Sequence, residues 1–503
     1  MANENVERIQ SETVSPLDAR IERVKELFPE AVNEDGIDFE TLANLLGKRE
    51  ARRERYNFTW AGKQDAILSL HSRSRGTLKP VPEKSINWDD TKNVFIEGDN
   101  LEVLKLLYKS YFGRVKMIFI DPPYNTGNDF VYPDDYSDPL SHYLRLTGQV
   151  DDEGNLRTSE PDKAGRKHSG WLSMMYPRLF LARQLLRDDG VIFVTIDDNE
   201  ADNLRKVMNE IFGEENFIAC IAWEKRYTRS NNAKLFYSLK DSILLYRRSE
   251  ALAVLREERT KKSDDLYRNP DNDPRGPWTT SSYVNPATKE KRPNLVYPIT
   301  NPHTGDIVEH PTHAWKYEYS EHKRHVQEMQ LWWGKDGNAK YPRKKIYLEE
   351  NGGGLVPIDI WKHETAGTTD EAGSELKRLF DGQIVFDTPK PTKLIRRMIS
   401  MTTVSDDNDI VMDFFAGAAS TAHAVLAHNA EDNGNRRFVM VQLQEMTDHA
   451  EYPTIADVGK ERIRRVIRQM ESEKRGRLEG LETYPGEDGS PPRLWGKRNL
   501  SSA

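Results

Sequence analysis

Asp121-Pro122-Pro123-Tyr124 is the stretch with the plainest chemical capacity. It ends the apolar run Lys116-Met117-Ile118-Phe119-Ile120, which reads as a buried parallel strand. The two prolines fix φ and keep the preceding residue out of the helical region, so Asp121 and Tyr124 leave the strand's carboxyl end in a preset geometry. Open α/β sheets bind ligands at such ends. The Asp121 carboxylate and the Pro122 carbonyl accept hydrogen bonds, and Tyr124 offers a flat face for a planar ring. Acceptors beside a stacking face can hold a planar ring that carries hydrogen-bond donors. Asp-Pro-Pro also serves as an ordinary strand-exit turn, so the rest of the chain must decide.

A second constellation lies near the other end. Ile410-Val411-Met412-Asp413 reads as a strand, Phe414-Phe415-Ala416-Gly417-Ala418-Ala419 as a small-residue turn, and a helix opens at Ser420. This is how a Rossmann-type unit lets backbone approach a nucleotide. The strand 437–445 follows and ends at Glu445, an acid placed to accept both hydroxyls of a ribose.

The elements that position these residues alternate from Asn93 onward. Val94-Phe95-Ile96 is a short strand, Glu97-Gly98-Asp99-Asn100 a turn, and Leu101, Leu104 and Leu107 mark an amphipathic helix. As a right-handed βαβ unit this predicts that Asp99 ends a strand beside that of Asp121, with helix N-capping as its plainer role. A helix is predicted over 171–186 and a buried strand over 190–198, where Asp197 and Asp198 either line a cleft or cap the helix over 201–212. The polar stretch 133–170 is long enough to be a lid.

The 503 residues allow two or more domains, and 37% apolar with 31% charged content fits a soluble globular protein. No run of 18 apolar residues and no basic-then-apolar start is present, which predicts a cytoplasmic protein without membrane partners. One cysteine, Cys220, excludes disulfide frameworks and Cys-based zinc sites; within Phe217-Ile218-Ala219-Cys220-Ile221-Ala222 it reads as a buried core thiol. His303, His310, His313, His322 and His325 lack a metal-binding pattern, so no metal is expected. There is no phosphate-binding Gly-x4-Gly-Lys-Ser/Thr loop, which assigns any motor or nuclease to another chain.

Net charge is −8, yet residues 221–350 hold 24 Lys+Arg against 18 Asp+Glu, a local excess of +6 against −14 elsewhere. Arg226, Arg229, Lys234, Lys240, Arg247, Arg248, Lys261 and Lys262 interleave there with Tyr227, Tyr237 and Tyr246. Cations on phosphates and planar groups on bases suit a DNA surface.

In this order the stretches resemble the β-class DNA amino-methyltransferases, in which the catalytic half precedes the recognition domain and the cofactor half follows. They are similar in particular to modification subunits of type III restriction-modification systems. The likeness covers roughly 85–250 and 350–470, through 93–107, 121–136, 190–217, 387–395 and 413–425. It implies an α/β, Rossmann-like S-adenosylmethionine-dependent methyltransferase fold, circularly permuted, with an inserted target-recognition domain. The expected division is an N-terminal helical region (1–85), a catalytic half (86–218), a recognition insert (219–385), a cofactor half (386–475) and a flexible tail (476–503). The implied activity is methyl transfer to the N6 amino group of adenine in a specific DNA sequence. Asp121, Pro122, Pro123 and Tyr124 are the implied catalytic residues; Asp99, Thr388, Lys390, Asp413, Phe414, Ala416, Gly417 and Glu445 are the implied cofactor-binding ones. The implied substrate is double-stranded DNA with its target base flipped out, and a homodimer and a separate restriction subunit are the expected partners. N4-cytosine methylation and a catalytically silent DNA-binding specificity subunit are the alternatives. Two features depart from the family: Ala419 stands where a second glycine is usual, and type III subunits are usually longer.

Overall fold

The computed structural model describes residues 16–33, 36–38, 41–42, 45–46, 58–126, 163–229, 233–350 and 353–482. They form two compact units, one from Met1–Val254 with Ile358–Ala503, the other Leu255–Pro357.

The first unit is built on an eight-stranded sheet. Its strands are β1 (Val94–Glu97), β2 (Val115–Ile120), β3 (Leu186–Ile196), β4 (Phe217–Glu224), β5 (Lys240–Arg247), β6 (Ile360–Trp361), β7 (Ile410–Asp413) and β8 (Arg437–Gln442). Their spatial order is β6-β4-β5-β3-β2-β7-β8-β1. Every pairing is parallel except those of β5, which runs against both neighbours.

Alternation along β2 explains the layering. Ile118 and Ile120 join an apolar cluster with residues of α1 (Asn100–Tyr111), α2 (Lys163–Leu185) and α3 (Ala201–Phe212). Met117 instead meets Thr402 of α5 (Thr392–Thr402), after α4 (Thr369–Leu379) in the chain. Both faces are therefore covered, which is why β2 is buried throughout and, Lys116 apart, apolar. Two further helices, α6 (Ser420–Asp432) and α7 (Ile455–Glu482), also belong to the unit.

Several expectations change here. β1 does not neighbour β2: it pairs with β8, in register Ile96↔Val441, because β7 and β8 from the far end of the chain fill the two places between. The adjacency rule for successive strands yields to pairings made later in the sequence. The strand expected to start at 190 begins at Leu186. Cys220 is exposed, not a core thiol, because β4 is next to the sheet's edge and Ile218 and Cys220 share its uncovered face. Tyr246, expected on a DNA surface, is fully buried and packs edge-on against Phe217. α7 runs on to Glu482, through the expected start of the tail at 476; the rest of that tail, most of the expected lid and much of 1–57 lie outside the described residues.

The second unit is largely irregular and antiparallel. A three-stranded sheet joins Leu331–Trp332, Arg343–Tyr347 and Trp278–Ser282. Its core is aromatic: Tyr283, Tyr297, Trp315 and Trp333 are buried around Ile299, and the Tyr283 hydroxyl meets Nδ1 of His322 and of His325. These rings hold the unit together and are not free to stack on bases. Glu257 bridges Leu355, so the chain enters and leaves the unit side by side. Its limits fall inside the expected 219–385 insert; β4, β5, β6 and α4 belong to the first unit.

Candidate active site

β2 and β7 are neighbours at the sheet's centre, and from them the chain proceeds in opposite directions, β2 toward β3 and β7 toward β8. That is a topological switch point, and a crevice forms there outside the strands' carboxyl ends. Asp121 follows β2 and Asp413 ends β7.

Asp121 is held by three donors. Its Oδ1 accepts from the Tyr124 hydroxyl at 2.8 Å and from Thr195 Oγ1 at 2.5 Å, and its Oδ2 pairs with Lys390 Nζ. Lys390 Nζ also lies 5.3 Å from the centre of the Tyr124 ring. Burial first, then the Asp121 and Asp241 carboxylates, push the Tyr124 phenol well above its usual range, so it stays protonated and donates. Trp171 Nε1 donates to the Pro123 carbonyl at 2.7 Å and ties the turn to α2. Asn125 closes the turn at φ 60°, its amide donating to Glu200 Oε1 at 2.5 Å. A carboxylate offers about four lone-pair positions, so three donors leave Asp121 room for one more.

The second half of the crevice is the turn after β7. Asp413 is buried; its Oδ1 accepts from the Phe415 amide at 3.0 Å and its Oδ2 from Thr421 Oγ1 at 2.6 Å. Burial raises its carboxyl to about 7. The Gly417 amide donates to Gln442 Oε1 at 2.6 Å, Ala416 N donates to Val441 O at 3.1 Å, and Ala419 sits in the left-handed region at φ 57° as the N-cap of α6. Arg462, fully buried on α7, braces the turn through Ser420 Oγ at 2.7 Å. Gln442 also reaches Glu445 Oε1 at 3.4 Å, the one side-chain partner of Glu445 among the described residues. Burial raises the Glu445 carboxyl. A half-buried acid so lightly partnered can take a vicinal diol, and the small-residue turn fits a nucleoside.

The structure thus brings together Asp121, Pro122, Pro123, Tyr124 and Lys390 on one side, and Asp413, Ala416, Gly417 and Glu445 on the other. Lys390, expected beside a cofactor, is bonded to Asp121. Thr388 is exposed two residues before it. The Phe414 ring belongs to the apolar core, so only its backbone faces the turn; its carbonyl accepts from Asn100 Nδ2 at 2.8 Å. Asp99 caps α1 by accepting from the Glu102 amide and also meets Arg178 at 3.3 Å. Asp197 accepts from Asn199, and Asp198 pairs with Lys240; neither caps α3. Sequence reading missed Thr195, Trp171 and the Lys225–Asp241 pair at 2.6 Å. A hydroxyl inside the apolar run of β3 was the only available signal for Thr195, and nothing local marks the pair.

Elsewhere in the first unit, Glu224, His363 and Glu364 converge within 4.8 Å, but His363 Nδ1 is taken by Glu224 at 2.8 Å and Lys362 stands 3.8 Å from Glu224, an arrangement of paired charges more than of a cation cage.

The family described as DNA methylase matches residues 115–446. The chain is similar to the Mod subunit of the type III restriction-modification enzyme StyLTI from Salmonella typhimurium, at 33% identity over 488 residues, covering 92% of this chain and 72% of that protein. It is 30% identical over 501 residues to the EcoPI Mod subunit from Escherichia phage P1, covering 92% and 76% respectively. The type II methyltransferase M.KpnI from Klebsiella pneumoniae is 29% identical over 367 residues, covering 70% of this chain and 81% of its own.

Proposed function

The chain belongs to the DNA methylase family and is a relative of type III Mod subunits, and on that premise we propose that it methylates the N6 amino group of adenine at a specific DNA sequence, as the modification subunit of a restriction-modification system. The observation that carries this reading is the fixed Asp121 carboxylate, with one acceptor position left, at the central switch point.

S-adenosylmethionine, when bound, would supply an electrophilic sulfonium methyl group, with a neutral thioether as the leaving group once the methyl carbon–sulfur bond breaks. Its adenosine suits the turn 414–419 with Glu445 at the ribose, and Asp99 flanks the same crevice through Asn100 and the Phe414 carbonyl. Asp121 takes a hydrogen bond from the amino group of a flipped adenine and draws the nitrogen toward tetrahedral geometry. The Pro122 carbonyl accepts the other hydrogen. Tyr124, tethered to Asp121, holds the ring by stacking, worth roughly 1–3 kcal/mol per base. Lys390 pairs with Asp121 and orients it, and the surplus proton on the methylated nitrogen, strongly acidic once the methyl is attached, passes to water. Positioning and preset charge therefore account for most of the rate.

The unit Leu255–Pro357 contributes target recognition, the chain works as a homodimer, and a separate restriction subunit supplies cleavage. Among the described residues no helix is long and apolar enough to cross a membrane. Expressing the chain in a methylation-free host and sequencing its modified bases tests the reading. N6-methyladenine in one short motif is the expected result; N4-methylcytosine or unmodified DNA would refute it.

A further inference from the structure

The most exposed large apolar side chains among the described residues are adjacent: Leu235 is 97% and Phe236 96% exposed. They lie in the loop 225–239 between β4 and β5. Its base is fixed. Arg226 N donates to the Leu239 carbonyl at 3.3 Å, Arg226 donates to the Tyr237 hydroxyl at 2.7 Å, Tyr227 stacks on His363 at 4.9 Å, and Lys225 pairs with Asp241. Leu235 is four residues from Leu239, so the pair can stand at most roughly 13 Å beyond that base.

The loop's place in the sheet matters. β4 ends and β5 begins at the edge where β2 delivers Asp121, as the registers Ser242↔Ile196 and Ile120↔Val194 require. β5 is two strand places and β4 three from β2, roughly 10 and 14 Å. The loop is also where the basic excess concentrates. Of the +6 in 221–350, residues 221–254 carry +4, with seven Lys+Arg against three Asp+Glu. Arg229 and Lys234 are exposed, and among the described residues neither has an ion-pair partner.

We propose that Leu235 and Phe236 form an apolar wedge that enters the DNA stack beside the target base and fills the space left when that base turns into the Asp121 crevice. An exposed apolar pair on a basic arm costs solubility unless something covers it, and a base stack can: apolar wedges between base steps are an established device for unstacking duplexes. The flanking cations seat on phosphates on either side. Two side chains are too little for a stable protein interface, and like charges around them would repel a second copy.

This inference rests on the flipped-adenine reading above, and the test separates the two. The full-length L235A/F236A variant is compared with the parent on the target duplex and on the same duplex with an abasic site opposite the target adenine, where the base is already unpaired. On the intact duplex the variant should be slower by about tenfold or more; on the abasic duplex it should come within about threefold of the parent, with unchanged affinity for S-adenosylmethionine. Binding is read in parallel: the parent should prefer the abasic duplex less strongly than the variant does. An equal rate loss on both duplexes, or no loss on either, overturns the wedge, as does dissociation of a parent oligomer in the variant by light scattering. A parent that shows the wedge-dependent binding difference but methylates no adenine leaves the wedge standing and sinks the catalytic reading.

Discussion

Asp121→Ala removes the acceptor on which Thr195, Tyr124 and Lys390 converge while leaving the turn after β7 untouched. Methyl transfer should fall far more than tenfold, a loss above ~1.4 kcal/mol, with cofactor affinity nearly unchanged; single-turnover rates beside calorimetry check both. Ala419 makes a different point. Its methyl group sits in the left-handed region, which costs a non-glycine residue roughly 1–2 kcal/mol, partly offset by the smaller backbone entropy of alanine in the unfolded chain. Ala419→Gly should therefore raise stability by up to about 1 kcal/mol without lowering activity, seen as a higher urea midpoint. Asp413 gives a pH dependence. Burial raises its carboxyl to about 7 from 3.8, so between those values the folded protein holds a proton that the unfolded chain has released. Stability from this group is full below about pH 4, falls as pH rises toward 7 and is flat above, by at most ~4 kcal/mol. Asp413→Asn should flatten that decline, measured as the change in urea midpoint between pH 5 and pH 8 in variant and parent.

At the scale of elements, boundaries decide what can be removed. Most of β4 and all of β5, β6 and α4 lie within 219–385 in sequence but are built into the first unit: β4 and β5 pair along their length, and Trp223 of β4 donates to the Gly367 carbonyl at 2.9 Å. Deleting 219–385 strips three strands from the sheet and should leave an unfolded chain. Deleting 255–357 removes one compact unit whose two ends already lie together, and should leave a chain that binds S-adenosylmethionine but has lost sequence specificity. Circular dichroism and cofactor titration of the two deletions, beside methylation of mixed sequences, distinguish these outcomes.

At the scale of the whole molecule, the net charge of −8 conceals a basic stretch on an acidic background. DNA affinity should fall steeply with salt as phosphate contacts release counterions. Because 221–254 carries +4 and 255–350 only +2, the 255–357 deletion should keep most of that salt slope while losing specificity. Filter-binding titrations at several salt concentrations give the slopes, and a salt-independent parent would refute the charge assignment.

The sequence alone determined the strand exits and turns that carry the candidate chemistry, because prolines, small residues and apolar runs act on their immediate neighbours: Asp121-Pro-Pro-Tyr124 and 413–420 are read from a few residues each, and the structure puts both at strand ends as expected. The order of motifs was enough for the family. Tertiary structure decided what depends on residues far apart. β1 was parted from β2 by strands some 300 residues later, Lys390 was brought to Asp121 across 269 positions, and Tyr246, Trp315 and Trp333 were drawn into cores. Local pattern gives each segment its form, but which segments become neighbours is settled by burying apolar faces and pairing charges over the whole chain, and no window of sequence contains that competition.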